Sequence, residues 1–281
     1  MDIQEIIKNM SLSEQLCCST VRIESELDGN RLVTGTGFFF NVSIGEKTCV
    51  PCIITNKHVI GQSKKGRLVL TCYDNSNNKR YIKYEIDNFE NQWIGHPDKC
   101  IDLAVFPINP HLVNIEKQTM AKPFYIPLDA SIIPDDKQME DLCALEEIVM
   151  IGYPNGIWDE KNNRPIIRKG STATHPCLDF NGKKEFLIDA ACIPGSSGSP
   201  VFILNQGMIV DKHNNINMGK SRLYLMGVLY AGPQLSVSGN ITFANIPQVK
   251  SQIPINLGLV IKSSVLRDFE KILNSSFGFR L

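Results

Sequence analysis

Asp189-Ala190-Ala191-Cys192-Ile193-Pro194-Gly195-Ser196-Ser197-Gly198-Ser199-Pro200-Val201 is the stretch around which the rest of the chain arranges itself. Small residues crowd around one hydroxyl, Ser197, just ahead of a β-branched strand start. A nucleophile needs such crowding if its own backbone must also donate hydrogen bonds to the oxygen of the group it attacks. Gly195, two residues earlier, lets the chain turn sharply and leaves its amide free to point into a site. Taken alone, the same residues also spell an ordinary Gly-Ser turn.

A lone serine is a poor nucleophile, so a base must be sought. Of the five histidines, His58 follows Ile53-Ile54-Thr55-Asn56 at the end of an apolar strand, where a side chain can be held at a barrel rim. His96, His111, His175 and His213 lie beside Gly, Pro or Asn and read as solvated loop residues. The base in turn needs an acid to fix its tautomer. Asp102 opens Asp102-Leu103-Ala104-Val105-Phe106, and a carboxylate at the mouth of an apolar strand is costly to bury without a partner. A strand-capping aspartate is the alternative, and Asp98 is the next acid to test.

Outward from these residues the chain reads as short strands. Val21, Ile23 and Leu32, Thr34 flank the hairpin signal Asp28-Gly29-Asn30. Further strands are expected over 36–40, 50–55, 67–73, 81–86 and 103–108, then over 124–128, 147–152, 165–171, 185–190, 199–204, 223–230 and 257–261. Gly, Pro and Asn punctuate them at intervals near ten residues, the pattern of antiparallel barrels. The expected class is all-β: two antiparallel six-stranded barrels over 17–115 and 116–262. Residues 1–16 form a short N-terminal helix broken near Ser11. Residues 263–281 form a closing helix and tail, with Ser263 as N-cap and Val265, Leu266, Phe269, Ile272 and Leu273 as its apolar face. Residues 109–122 show little periodicity and read as a crossing, and 211–221 read as a polar, exposed hairpin tip.

Composition excludes several classes. Lys+Arg and Asp+Glu are both 29 in 281 residues, so no basic excess exists for counterion-release binding to nucleic acid. Apolar residues at 43% and charged residues at 21% suit a buried core rather than a disordered chain. No run approaches the roughly 18 apolar residues of a membrane helix, and Asp2, Glu5 and Lys8 occupy the place of a signal peptide's apolar run. The expectation is a soluble, cytoplasmic protein. Nine scattered cysteines are an odd number, and Cys49-Val50-Pro51-Cys52 has no second Cys or His pair at ligand distance. They read as reduced thiols, with no metal and no cofactor.

His58, Asp102 and Ser197 follow one another in that order, and here the chain resembles the chymotrypsin/trypsin family of serine peptidases, closest to its bacterial high-temperature-requirement branch. The pieces that carry the resemblance are Gly35-Thr36-Gly37-Phe38, Ile54-Thr55-Asn56-Lys57-His58-Val59-Ile60, Asp102-Leu103-Ala104-Val105, Val149-Met150-Ile151-Gly152-Tyr153-Pro154, Pro194-Gly195-Ser196-Ser197-Gly198-Ser199-Pro200 and Leu257-Gly258-Leu259-Val260-Ile261. The resemblance implies a cleft between two barrels in which Ser197 attacks, His58 moves the proton, and Asp102 orients His58. The amides of Gly195 and Ser197 would form an oxyanion hole. It implies a specificity pocket with Ala191 as floor, Gly232 and Gly258 as walls, and Cys192, Tyr230 and Ala231 along its sides. An uncharged floor suits an apolar residue before the cut. The implied partners are a protein or peptide substrate and a regulatory or activating protein. A silent binding module and an esterase using the same triad are the competing classes.

Departures from the family also carry information. Val59 replaces the cysteine usual after the histidine of secreted members, and Ser199 replaces a glycine common after Gly198. Ser196 stands where digestive members keep an aspartate for a newly cut N-terminus, so activation by propeptide cleavage is not expected. With the chain ending at Leu281, no PDZ module is expected after it.

Overall fold

The computed structural model describes residues 3–27, 29, 31–45, 48–213, 215–232, 234–238, 250–254 and 256–277. Asp28 and Asn30 of the first turn, and the tail after 277, lie outside the described residues. Nine strands form the first sheet: β1 (Thr20–Leu27), β2 (Arg31–Ser43), β3 (Cys49–Thr55), β4 (Lys65–Asp74), β5 (Lys79–Asp87), β6 (Ile94–Gly95), β7 (Ala104–Pro107), β8 (Ala121–Pro123) and β9 (Leu128–Asp129). The second half holds β10 (Glu147–Gly152), β11 (Ile166–Thr172), β12 (Glu185–Asp189), β13 (Pro200–Asn205), β14 (Met208–Val210), β15 (Ile216–Met218), β16 (Arg222–Ala231), β17 (Gln234–Ser238), β18 (Lys250–Pro254) and β19 (Leu257–Lys262).

The second half closes as expected, in the six-stranded barrel β10-β11-β12-β19-β16-β13. The first does not close along its hydrogen-bonded path, which runs β5-β4-β1-β2-β3-β7-β6. Its remaining strands come from the segment expected to begin the second barrel: β8 pairs with β4, and β9 pairs in parallel with β2. The reason is aromatic packing, since Phe124 sits edge-on to Tyr73 and Tyr125 stacks on Phe39.

Why the strands read as unbroken apolar runs follows from three separate cores. Phe39 and Ile53 face the interior of the first sheet, with Leu68 and Phe106. Met150, Phe186 and Val201 fill the second barrel. Phe38, Phe40 and Ile54, alternating with the first set, join Val149, Ile151 and Phe202 in a third core between the two halves. A strand buried on both faces has no polar side to show, so Phe38-Phe39-Phe40 and Ile53-Ile54 cannot alternate with polar residues.

The helices are α1 (Ile3–Lys8), α2 (Leu12–Cys17), α3 (Lys57–Ile60), α4 (Asn109–Thr119), α5 (Asp136–Glu140) and α6 (Asp268–Phe277). The break at Ser11 is a capping box with Glu14. The closing segment starts as a 3-10 turn over Ser263–Arg267 rather than with Ser263 as N-cap, and Phe269 and Leu273 of α6 complete the core between the halves. The stretch over 109–122, read as a crossing, contains α4, whose Pro110 sits in the first turn and whose Leu112 and Ile115 are buried. The hairpin tip is present between β14 and β15, but those strands turn Met208, Val210, Ile216 and Met218 to solvent.

Candidate functional site

β3 runs apolar to Thr55, and the next residue, Asn56, starts the single turn of α3 that carries His58. Asn56 does not cap that turn with its side chain. Its amide nitrogen instead donates to the Asp102 carbonyl at 2.8 Å. The backbone N–H of His58 donates to Asp102 Oδ1 at 3.1 Å, and His58 Nδ1 meets Asp102 Oδ2 at 2.5 Å. With an ionised carboxylate accepting at Nδ1, the proton of neutral His58 resides there and Nε2 is left as a lone-pair acceptor. The His58 side chain is 48% exposed and that of Asp102 26%, so His58 is reachable while its partner is largely covered.

Beside them, Gly35 explains Val59. A Cβ at Gly35 would lie 2.4 Å from Val59 Cγ1, so the glycine leaves the room that the branched side chain fills.

Ser197 lies in a loop built on two left-handed glycines, Gly195 and Gly198, both at φ 85°. A Cβ at Gly198 would come within 1.9 Å of the Thr36 carbonyl oxygen, and one at Gly195 within 2.6 Å of the Asn155 nitrogen. Neither position admits a side chain. The Pro194 carbonyl accepts from Asn155 N at 2.5 Å and the Ser196 carbonyl from Ser199 N at 3.1 Å. The N–H of a trans peptide points opposite its C=O, which turns the Gly195 and Ser197 amides away from those partners. Neither amide donates to an acceptor among the described residues. The Ser197 hydroxyl donates to the Tyr230 carbonyl at 3.4 Å, not to His58. His58, Gly195, Ser197 and Asn155 share a cleft of about 480 Å³ that Leu32 and Val33 also line.

Of the residues expected around a specificity pocket, Cys192, Gly232 and Gly258 lie against one another. A Cβ at Gly258 would meet Cys192 Sγ at 2.5 Å, and one at Gly232 would meet the Cys192 carbonyl oxygen at 3.2 Å. Tyr230 and Ala231 end β16 beside them. Burial pushes the Cys192 thiol up to about 11. Ala191 is exposed and its carbonyl accepts from Arg168 Nη1 of β11, a guanidinium that sequence reasoning did not place there. Arg168 is in no ion pair among the described residues.

Two of the histidines set aside as solvated are not. His96 is buried, its Nδ1 accepting from Asp98 N at 3.1 Å and its Nε2 lying 3.3 Å from Asp268 Oδ2. His111 packs on Phe106 and bonds the Tyr84 hydroxyl, and burial holds its imidazole below the usual histidine range. Asp98 accepts from Cys100 N in its own turn and makes no bond to His58. All nine cysteines are free thiols. Cys49 is exposed and Cys52 buried, because three residues apart on a strand means opposite faces. No cluster of His, Cys, Asp and Glu fit to hold a metal occurs among the described residues.

Residues 35–210, well over half of the chain, match the family described as trypsin-like peptidase domain. The chain belongs to that family, and its class is serine protease. No curated protein matches it. Among solved structures it is similar to the Rv3671c protease from M. tuberculosis in its active form, at 14% identity and a TM-score of 0.45, covering 93% of this chain and 82% of that one. It is also similar to the HtrA-type protease AlgW with tripeptide, at 15% identity and a TM-score of 0.48, covering 94% of this chain and 62% of that one. No helix among the described residues is long and apolar enough to cross a membrane.

Proposed function

We propose that the chain is an endopeptidase that cuts protein or peptide substrates through His58, Asp102 and Ser197 by way of an acyl-enzyme. The observation that carries this reading is the 2.5 Å His58–Asp102 bond at the cleft that Ser197 and Gly195 also line. A turn about the Ser197 Cα–Cβ bond takes its hydroxyl from the Tyr230 carbonyl toward His58, and such bonds commonly tighten only when substrate is present. Ser197 Oγ then attacks the scissile carbonyl while His58 Nε2 takes the hydroxyl proton, and the Gly195 and Ser197 amides receive the oxyanion. His58 passes the proton to the leaving amine, and water repeats the sequence on the ester. Each oxyanion donor contributes about 3 to 4 kcal/mol when judged by its removal.

Ser197→Ala tests the assignment. Peptide turnover should fall about 10⁶-fold and fluorophosphonate labelling should vanish, with the melting temperature unchanged. Unaltered turnover sinks the proposal. A labelled protein that cleaves simple esters but no peptide favours the esterase, and an unlabelled wild type favours the silent binding module.

For the residue before the cut, the uncharged Ala191 supports an apolar side chain. Arg168 favours a second reading, an acidic side chain, because after the bond to the Ala191 carbonyl four of its five N–H donors have no partner among the described residues. A peptide library cut by wild type and Arg168→Ala decides. Graded apolar preference unaffected by the substitution supports the first, and cleavage after Asp or Glu that is lost with Arg168 supports the second.

A further inference from the structure

Thr36 of β2 uses every hydrogen-bonding group it has. Its N–H donates to the Ser197 carbonyl at 2.9 Å, and its own carbonyl accepts from Thr55 Oγ1 at 2.7 Å. Its hydroxyl accepts from Tyr153 N at 3.0 Å and donates to the Gly195 carbonyl at 3.2 Å. The residue is fully buried, where an unpaired hydroxyl would be costly. Glycines clear the space: a Cβ at Gly152 would lie 2.7 Å from Thr36 Oγ1, and one at Gly198 would strike the Thr36 carbonyl.

Two details give this cluster its meaning. Gly195 has no side chain to anchor it, and at φ 85° it keeps its shape only if the peptides on both sides are held. Asn155 N holds the preceding peptide through the Pro194 carbonyl, and the Thr36 hydroxyl holds the following one through the Gly195 carbonyl. Moreover, the Tyr153 N–H occupies one lone pair of the hydroxyl oxygen, which aims the Thr36 proton at Gly195 rather than leaving it to rotate. Thr55, whose hydroxyl holds the Thr36 carbonyl, stands three residues before His58. Among the described residues, every hydrogen bond from the first sheet to the 194–198 loop is made by Thr36.

We infer that the Thr36 hydroxyl is a positioning group for the Gly195 amide, the joint by which the half carrying His58 sets where the oxyanion is received. This rests on the peptidase reading. It predicts an effect on the transition state alone, since the hydroxyl touches no substrate. Thr36→Val keeps the shape and removes the hydroxyl; kcat should fall roughly 10- to 100-fold with KM little changed, the size expected of a misplaced catalytic donor. Thr36→Ser, which restores the hydroxyl, should recover most of that loss. A peptide aldehyde, whose tetrahedral adduct places an oxyanion at the same amides, should bind Thr36→Val more weakly by a similar factor, while a product peptide should bind as to wild type. Where Thr36→Val melts too low to assay, Thr36→Ser against Thr36→Ala makes the same comparison, because those two differ by the hydroxyl alone. Wild-type kcat in Thr36→Val, equal impairment of the hydroxyl-bearing and hydroxyl-free variants, or a kcat loss without weaker aldehyde binding overturns the inference. A wild type that neither cleaves peptides nor labels with fluorophosphonate overturns the peptidase reading instead.

Discussion

The proposed base and the proposed nucleophile are held in opposite ways. On the His58 side, side chains do the holding: Asp102 grips both the ring and the backbone of His58, and Asn56 grips Asp102. On the Ser197 side the backbone does it, through left-handed glycines and main-chain groups tied to Thr36, Asn155 and Leu229, while the serine hydroxyl donates to the Tyr230 carbonyl. The base side therefore fails when a functional group is deleted. The nucleophile side also fails when an atom is added.

Among changes to the groups that hold rather than react, the largest effect should come from deletion on the base side. Asp102→Asn should lower kcat on the order of 10⁴-fold, the consequence of a wrongly held tautomer, with little loss of stability. A near-normal rate would move the acid elsewhere and erase the contrast between the halves. Addition on the nucleophile side comes next. Gly198→Ala forces a Cβ against the Thr36 carbonyl in a left-handed conformation and should cost about 1 to 3 kcal/mol in chemical denaturation, together with activity. An alanine variant as stable and active as wild type would show that the loop has slack.

Smaller still is the acid response of the first half. Because the fold holds His111 below the usual histidine range, the unfolded chain takes up its proton first as the pH falls. The sign follows: stability declines from the ordinary histidine value downward, through the lowered folded value. Denaturation midpoints between pH 7 and 5 should show this slope, and His111→Gln should flatten it; an unchanged slope would assign the acid response to other groups. The smallest expected effect is none. Millimolar reductant should leave activity and melting temperature unaltered, since all nine cysteines are free thiols, and inactivation would reveal an oxidised form that matters.

The residues proposed to carry the chemistry stood out in the sequence because they are rare types in improbable places: a histidine ending an apolar strand, a carboxylate opening one, a serine among glycines. The residues that position them did not. Thr36 and Gly195 are 159 positions apart, and Asn155 acts through a main-chain N–H that every residue but proline has. Nothing in their side chains announces the partnership. The same holds for the architecture. Unbroken runs such as Phe38-Phe39-Phe40 gave away strands but not that they serve two cores, and 109–122 read as a crossing because the weak apolar spacing of α4 hid a helix with Pro110 in its first turn. β8 and β9 were invisible as members of the first sheet because two or three residues carry no period of their own.

The fit of Val59 against Gly35 bears on how this half is made. A link between β2 and α3 that consists of a methyl group in a glycine-sized space forms at the moment the two elements meet. A covalent sulfur bridge at the same place would wait on an oxidant and on the shuffling of wrong pairs, a matter of seconds to hours. The chain thus joins β2 to α3 beside His58 by packing alone, and that junction asks nothing of the redox state of its surroundings.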